Sequence, residues 1–113
     1  VRKCDILVAM SQSALDSHLK DLRDDGILLV DEDTVKEMPS IKARVLRVPA
    51  TRISERELKS KTFANVVMLG ALTKKVNVAS EKAIERSIVE SVSEETKEEN
   101  IKAFRKGMAF CEQ

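Results

Sequence analysis

The sequence predicts an α/β fold: a small, mainly parallel sheet comes first and helices are concentrated in the C-terminal half. Three observations predict it. Short apolar runs bounded by turn residues recur before Pro49, an amphipathic stretch separates the first two runs, and helical periodicity takes over from Phe63. Because 113 residues suit one compact domain, we expect residues 1–113 to form a single domain.

The N-terminal part predicts a strand, a helix and a second strand. Residues 4–10 form a short apolar run rich in branched side chains, which is typical of a strand buried on both faces. Ser11 is a suitable N-cap for a helix whose apolar spacing covers residues 14–22. The pair Asp25-Gly26 predicts a stop and a turn before a second buried strand at 27–30. This order implies parallel pairing through a right-handed crossover.

A third strand completes the predicted sheet. Residues 31–43 are polar and predict a loop, with at most a short helical turn near Val35. Residues 44–48 mix polar and apolar side chains in near alternation, as a half-exposed strand does, and Pro49 ends them. Doubly wound sheets usually have about five strands or more. We therefore expect a three-layer, partial doubly wound sheet, with part of the fold missing or supplied by a partner.

Helices dominate the rest of the chain. The Ser-x-x-Glu pattern at 54–57 predicts a capping box that opens a short helix through Leu58. The stretch 63–76 is apolar almost all round, so we expect a helix buried on most sides, with Gly70 at a close backbone contact. Ser80 predicts the N-cap of the next helix. The apolar stripes of the last two helices are Ala83, Ile84, Ile88 and Val92, then Ile101, Phe104 and Met108.

Composition narrows the class of protein. The chain carries 20 basic and 19 acidic residues, three Phe, and no Trp or Tyr. Nucleic-acid binders usually show a basic stripe or stacking aromatics, and neither pattern occurs. No apolar run approaches the ~20 residues of a membrane span. With no visible secretory signal, we expect a cytoplasmic protein in which Cys4 and Cys111 are reduced; a disulfide between them is the alternative.

Groups for catalysis or metal binding are scarce. His18 is the only histidine, and its neighbours Asp16 and Ser17 would point in other directions on a helix, so the three cannot form a relay. One histidine and two distant cysteines cannot build a zinc or iron–sulfur site unaided. We therefore expect no catalytic residue and no metal site, with His18 a packed or surface helix residue.

The candidate cofactor-binding residues are Ser11, Gln12 and Asn65. Ser11 and Gln12 follow strand one at the edge where open α/β sheets bind ligands, although N-capping also explains Ser11. Asn65 lies inside the apolar helix and must satisfy its amide within the protein or across an interface. Asp31 and Asp33 follow strand two and could bind a ribose or magnesium. However, the preceding turn lacks glycine, and a solvated strand end explains these acids equally well.

Four segments of the chain form a set that resembles a known family. They are AMSQSAL at 9–15, GILLVD at 26–31, VPAT at 48–51 and ANVVMLGAL at 64–72. In this order they resemble the gamma subunit, or gamma domain, of 2-oxoacid:ferredoxin oxidoreductases. The resemblance covers most of the chain, and its most specific part is 65–72. The Met-Ser-Gln-x-Ala segment favours the 2-oxoglutarate type over the pyruvate type.

The resemblance implies a share in the oxidative decarboxylation of a 2-oxoacid. Enzymes of this family convert a 2-oxoacid and coenzyme A to acyl-coenzyme A and carbon dioxide, and electrons pass to ferredoxin. Thiamine diphosphate and iron–sulfur clusters would be held by partner alpha, beta and ferredoxin-like delta subunits, and none by this chain alone. Family gamma subunits also carry an N-terminal segment with a glycine-rich turn. Nothing before Cys4 matches it, so the resemblance is to the C-terminal portion.

Two other functions remain open. A stand-alone nucleotide- or coenzyme-binding module is motivated by Asp31 and by the turn at 11–12. A purely structural interaction domain is motivated by the apolar stripes of the last two helices, although such stripes are more often core.

Overall fold

The computed structural model describes residues 3–76 and 79–111. The chain divides into two compact units, Val1–Pro49 and Ala50–Gln113. Within the described residues, every strand lies in the first unit and the second unit is helical.

The first unit holds a three-stranded parallel sheet with one α-helix. Its strand order is β1-β2-β3, and β2 pairs in parallel with both neighbours. The predicted α/β class, the three strands and their parallel pairing are therefore confirmed. In chain order the elements are β1 (Cys4–Ala9), α1 (Gln12–His18), a 3-10 turn (Leu19–Asp21), β2 (Leu22–Asp31) and β3 (Arg44–Val48).

The predicted turn at Asp25-Gly26 is wrong, because both residues lie inside β2. Cys4 pairs with Leu22 but Ile6 pairs with Ile27, so the register jumps and the early part of β2 bulges. A side chain on Gly26 would place its Cβ 2.7 Å from the carbonyl oxygen of Asp5. Gly26 therefore lies at a bulge where two strands approach closely. Both features are common reasons for a glycine within a strand.

The core of the first unit covers one face of the sheet. Leu28 and Val30, alternate residues of β2, pack with Leu15 of α1. The segment between β2 and β3 has no helix, as predicted for a loop, yet it contributes buried Val35 and Ala43 to the same cluster. This loop thus supplies part of the layer over the sheet, because α1, with seven residues, is too short to cover that face alone.

The second unit contains four α-helices among its described residues. They are α2 (Ala50–Leu58), α3 (Ala64–Lys75), α4 (Glu81–Ser91) and α5 (Lys97–Phe110), with 3-10 turns at Lys61–Phe63 and Glu94–Thr96. The predicted cap at Ser80 is confirmed, since its hydroxyl accepts the N–H of Ala83 at 3.1 Å. None of the helices in the described ranges is both long enough and apolar enough to cross a membrane.

The predicted capping box at Ser54 is wrong, although α2 does end at Leu58. The helix begins at Ala50, directly after Pro49, so Ser54 lies in its interior and is fully buried. Its hydroxyl donates to the carbonyl of Ser60 and accepts the N–H of Phe63 at 3.1 Å. Ser54 therefore holds the connection to α3 rather than starting a helix. Proline just before a helix is well tolerated because no N–H is needed there.

Helices α3 and α5 cross through two glycines. A Cβ built on Gly70 would lie 2.0 Å from the carbonyl oxygen of Phe104, and one on Gly107 would lie 1.9 Å from that of Val67. The predicted close contact at Gly70 is confirmed. Beside the crossing, Phe104, Met108 and Ile88 form a buried cluster, so the predicted stripes of α4 and α5 are mainly core.

Candidate functional site

The carboxyl ends of the three strands are tied together at one edge of the sheet. Parallel strands end at the same edge, which is where α/β proteins place ligands. The Thr34 hydroxyl donates to the Met10 carbonyl at 2.8 Å, joining the chain after β2 to the end of β1. The Glu32 N–H donates to the Val48 carbonyl at 2.9 Å, joining it to β3. The edge is therefore ordered by direct hydrogen bonds. Its strand order runs 1-2-3, without the reversal at which ligand crevices usually form.

Asp31 is completely buried at the end of the central strand. One of its carboxylate oxygens accepts the N–H of Asp33 at 3.0 Å, and its backbone carbonyl accepts the N–H groups of Thr34 and Val35. The interpretation of Asp31 as a solvated strand end is therefore wrong. Its contacts form the turn that leaves β2. Groups of three or more His, Cys, Asp or Glu able to hold a metal do not occur within residues 3–76 and 79–111.

Gln12 clamps the loop after β2 onto the start of α1. Its Oε1 accepts the N–H groups of Lys36 and Glu37, each at 3.0 Å. Its Nε2 donates to the Glu37 carbonyl at 2.9 Å and to Asp16 Oδ1 at 3.2 Å. The predicted candidate thus lies at the expected edge, with both ends of its amide used inside the first unit. Lys36 and Glu37 carry no sequence signal that would have identified them as its partners.

Ser11 is the N-cap of α1, as predicted. Its Oγ accepts the N–H of Ala14 at 3.1 Å and its side chain is exposed. Because the oxygen is used as an acceptor, its hydroxyl proton is what Ser11 can still offer to a ligand.

Asn65 lies in the second unit, at the second residue of α3, and it is exposed. Its side-chain amide makes no hydrogen bond to any other described residue, so a hydrogen bond within the protein is not observed there. A partner across an interface stays a prediction. Of the three candidates, Ser11 and Gln12 are adjacent in the first unit, whereas Asn65 belongs to the second.

The remaining reactive groups have structural or surface positions. His18 is the last residue of α1, and its Nδ1 lies 3.8 Å from Asp21 Oδ2 with the imidazole 62% exposed. It is thus a surface helix residue, one of the two places predicted. Cys4 and Cys111 are both free thiols, so the alternative of a disulfide is not realised. Burial raises the pKa of the Cys111 thiol, and the nearby positive charge of Lys75 opposes this.

Comparison with known proteins identifies the family. A family model described as "Pyruvate ferredoxin/flavodoxin oxidoreductase" matches residues 1–110. The chain is 44% identical over 109 residues to "2-oxoglutarate synthase subunit KorC" of Methanocaldococcus jannaschii, covering 95% of this chain and 58% of the relative. It therefore spans about three fifths of that relative's length.

Two solved structures have the same fold. The first is the gamma subunit of a keto/oxoacid ferredoxin oxidoreductase from Geobacter sulfurreducens, with a TM-score of 0.91 and 32% identity over 96% of this chain and 64% of the other. The second is pyruvate oxidoreductase subunit PORC of Thermotoga maritima, with a TM-score of 0.77, 29% identity and the same coverage. Together with the family match along nearly the whole sequence, they show that the chain belongs to the pyruvate ferredoxin/flavodoxin oxidoreductase family.

Proposed function

We propose that this chain acts as an accessory gamma subunit of a 2-oxoacid:ferredoxin oxidoreductase. The observation that carries the proposal is the 44% identity to a subunit named for 2-oxoglutarate synthase, over 95% of this chain. The high structural similarity to an oxoacid oxidoreductase gamma subunit supports it as well. In this role the chain contributes to a reaction that it does not complete alone.

The proposed substrate is 2-oxoglutarate. Over the aligned residues the chain is 44% identical to the relative named for this substrate and 29% identical to the subunit named for pyruvate. The overall reaction would convert 2-oxoglutarate and coenzyme A to succinyl-coenzyme A and carbon dioxide, with the electrons passing to ferredoxin. Coenzyme A is thus a co-substrate of the complex.

The cofactors of that reaction would be held by partner subunits. Two cysteines in the whole sequence cannot supply the thiolates of an iron–sulfur cluster. We therefore assign the clusters and thiamine diphosphate to alpha, beta and ferredoxin-like delta subunits. The two cysteines do not fit an iron–sulfur cluster, and no step of the chemistry is assigned to this chain.

The contribution of this chain would be to support coenzyme A at a subunit boundary. Ser11 offers a hydroxyl proton at the sheet edge, and Gln12 fixes the neighbouring loop through four hydrogen bonds. Asn65 presents an exposed amide at the beginning of α3. These groups can bind polar atoms, and none of them is paired with a base that would activate it for catalysis.

Reconstitution tests the proposed function. The chain, in its complete gamma subunit, is co-expressed with alpha, beta and delta subunits, and ferredoxin reduction is followed with 2-oxoglutarate and coenzyme A. We expect activity that requires the gamma subunit and exceeds the activity with pyruvate. A gamma subunit that never co-purifies with the others, or an enzyme that is equally active without it, would refute the proposal.

The candidate residues are tested in the same enzyme. We expect Ser11→Ala and Asn65→Ala to raise the KM for coenzyme A about three- to tenfold, the range for losing one hydrogen bond, with kcat little changed. Thr62 is an exposed polar residue in the 3-10 turn before α3, and Thr62→Ala is the control for Asn65→Ala. An unchanged KM in both variants would leave these residues with no ligand role.

The stand-alone binding module is the second candidate function. Titration calorimetry of the isolated protein with coenzyme A and with NAD distinguishes it from the subunit role. Heat of binding at micromolar ligand in the absence of partners would favour the module. We expect none, because the Gln12 amide and the Asp31 carboxylate already make hydrogen bonds within the first unit.

The organisation and location of the chain are also part of this proposal. We infer that residues 1–113 act as one domain in a cytoplasmic enzyme, because a single family match runs through both units. The two free cysteines agree with a reducing compartment. One cooperative unfolding transition, reported identically by NMR signals of both units, is the expected result, and two separate transitions would contradict it.

A further inference from the structure

Two neighbouring depressions on α5 carry opposite charge. The first, of about 620 Å³, lies between α4 and α5 and is lined by four basic and two acidic side chains. The second, of about 430 Å³, lies between α5 and the end of α2, and is lined by four acidic and two basic side chains. They share Glu98 and Lys102, two exposed residues one helical turn apart on α5. We call this surface the α5 patch.

The positive half of the patch also has an apolar floor. Val89 of α4 is 41% exposed there, and Ile101 of α5 lies beside it. The remaining lining comes from long charged residues, whose methylene stems can cover apolar surface while their charged ends stay in water. An exposed valine inside such a depression is the kind of surface that a protein partner can bury.

Charge at the two ends of the patch is held in place by ion pairs. Arg105 donates to both carboxylate oxygens of Glu85, at 2.8 and 3.3 Å, and this pairing raises the pKa of Arg105. Lys106 lies 3.3 Å from Glu57 of α2. By contrast, Glu98 and Lys102 form no ion pair with any residue in the described ranges. The centre of the patch therefore keeps one available charge of each sign.

We infer that the α5 patch binds a second copy of the same chain about a twofold axis. In a twofold interface a residue away from the axis meets a different residue of the other protomer, and that pairing is repeated in reverse, so the surface must complement itself. A positive half beside a negative half meets this requirement, and a purely basic or acidic partner would match only one half. With the axis between Glu98 and Lys102, α5 would pack antiparallel to its counterpart, and each Glu98 would face a Lys102 of the other protomer.

Charge exchange at the centre of the patch tests the dimer. Sedimentation equilibrium of the protein should show a concentration-dependent dimer that weakens as salt is added. Lys102→Glu places four negative charges around the axis, and we expect it to weaken dimerisation at least about tenfold. The double variant Glu98→Lys/Lys102→Glu restores opposite charges across the axis and should recover most of the affinity.

The controls separate this result from a general effect of charge. Lys82→Glu makes the same charge change at an exposed position of α4 outside both depressions, and it should leave the dimer intact. A wild-type monomer, a dimer insensitive to Lys102→Glu, or a double variant as weak as the single one would overturn the inference. So would a monomer whose assembly with alpha and beta subunits is weakened by Lys102→Glu, because the patch would then bind a different partner. If Lys102→Glu instead lowers the melting temperature of the monomer, the Lys102 side chain stabilises the subunit itself. That result would also overturn the inference.

Discussion

The side-chain amide of Gln12 pairs with the backbone of Glu37 as a neighbouring strand would. Its oxygen and nitrogen bind the N–H and the carbonyl of Glu37. The two residues are 25 positions apart, so this side chain closes a long loop. Local spacing predicts where Gln12 lies, but the partners depend on the path of the loop, which no sequence pattern specifies.

Replacing the donor NH2 group of Gln12 by an acceptor oxygen tests whether this side chain holds the loop. We expect Gln12→Glu to lower the free energy of unfolding by about 1–2 kcal/mol near neutral pH, because a carboxylate would face the Glu37 carbonyl and the Asp16 carboxylate. The loss should shrink at a pH low enough to protonate the introduced carboxyl, because its O–H can then donate in place of the amide N–H. Urea unfolding followed by circular dichroism at several pH values measures this. Gln12→Glu with wild-type stability at every pH would contradict the clamp.

Lys59 is the one non-glycine residue with a positive φ in the described ranges, at 59°. It follows the last residue of α2, where glycine is favoured because an L side chain crowds the backbone. We expect Lys59→Gly to raise the free energy of unfolding by about 0.5–1 kcal/mol. Arg56→Gly, at an exposed helical position of α2, is the control and should lower it by about 0.5–1 kcal/mol. If both changes destabilise equally, Lys59 is not strained.

At the scale of elements, α3 and α5 depend on the absence of two side chains. Alanine at Gly70 would gain about 1 kcal/mol of helix propensity, yet its Cβ would lie 2.0 Å from a backbone oxygen of the other helix. The cost of this clash should exceed the gain in helix propensity, because the atom that must move belongs to a helix backbone. The sequence indicates this contact correctly, since a glycine inside an apolar helix needs a packing reason.

Substitution at the crossing measures that balance. We expect Gly70→Ala to lower the free energy of unfolding by at least about 2 kcal/mol, and Gly107→Ala to do the same. Ser87→Ala, at an exposed position of α4, is the control and should stay within about 0.5 kcal/mol of wild type. Urea unfolding gives all three values. A stable Gly70→Ala variant would mean that the helices can separate without cost.

Element boundaries are less predictable than the elements themselves. The sequence predicts all three strands, but it ends the first helix too late and starts β2 too late. Both errors arise because Leu22 fits a helical spacing and Asp25-Gly26 fits a turn, whereas pairing with β1 extends the strand over all of these residues. The Ser54 error has the same origin, since a local cap pattern competes with Pro49 and with burial.

At the scale of the whole molecule, stability depends on a small aliphatic core with one buried phenylalanine. Phe104 is completely buried, so we expect Phe104→Ala to cost about 3–5 kcal/mol. That is a large part of the roughly 5–15 kcal/mol typical of a domain. Phe110→Ala, at the half-buried end of the same helix, should cost less. Thermal unfolding compares them, and a Phe104→Ala variant that loses association while keeping its melting temperature would contradict a core role.

The sequence predicts the candidate site less completely than the fold. It places Ser11 and Gln12 at the correct edge, because strand ends and caps are local features. It does not predict that Asp31 is buried or that Asn65 is exposed, because both depend on how distant segments pack. The expectation of few catalytic groups rests on composition alone and does not depend on the fold.

The glycine crossing has a consequence for how this family can vary. The atoms that exclude a side chain at Gly70 and Gly107 are backbone atoms, present whatever residue stands opposite. A substitution of the residue directly opposite therefore cannot remove the clash at either position. Covariation between α3 and α5 should be weakest where the helices are closest, and methods that infer contacts from correlated substitutions would underestimate this contact.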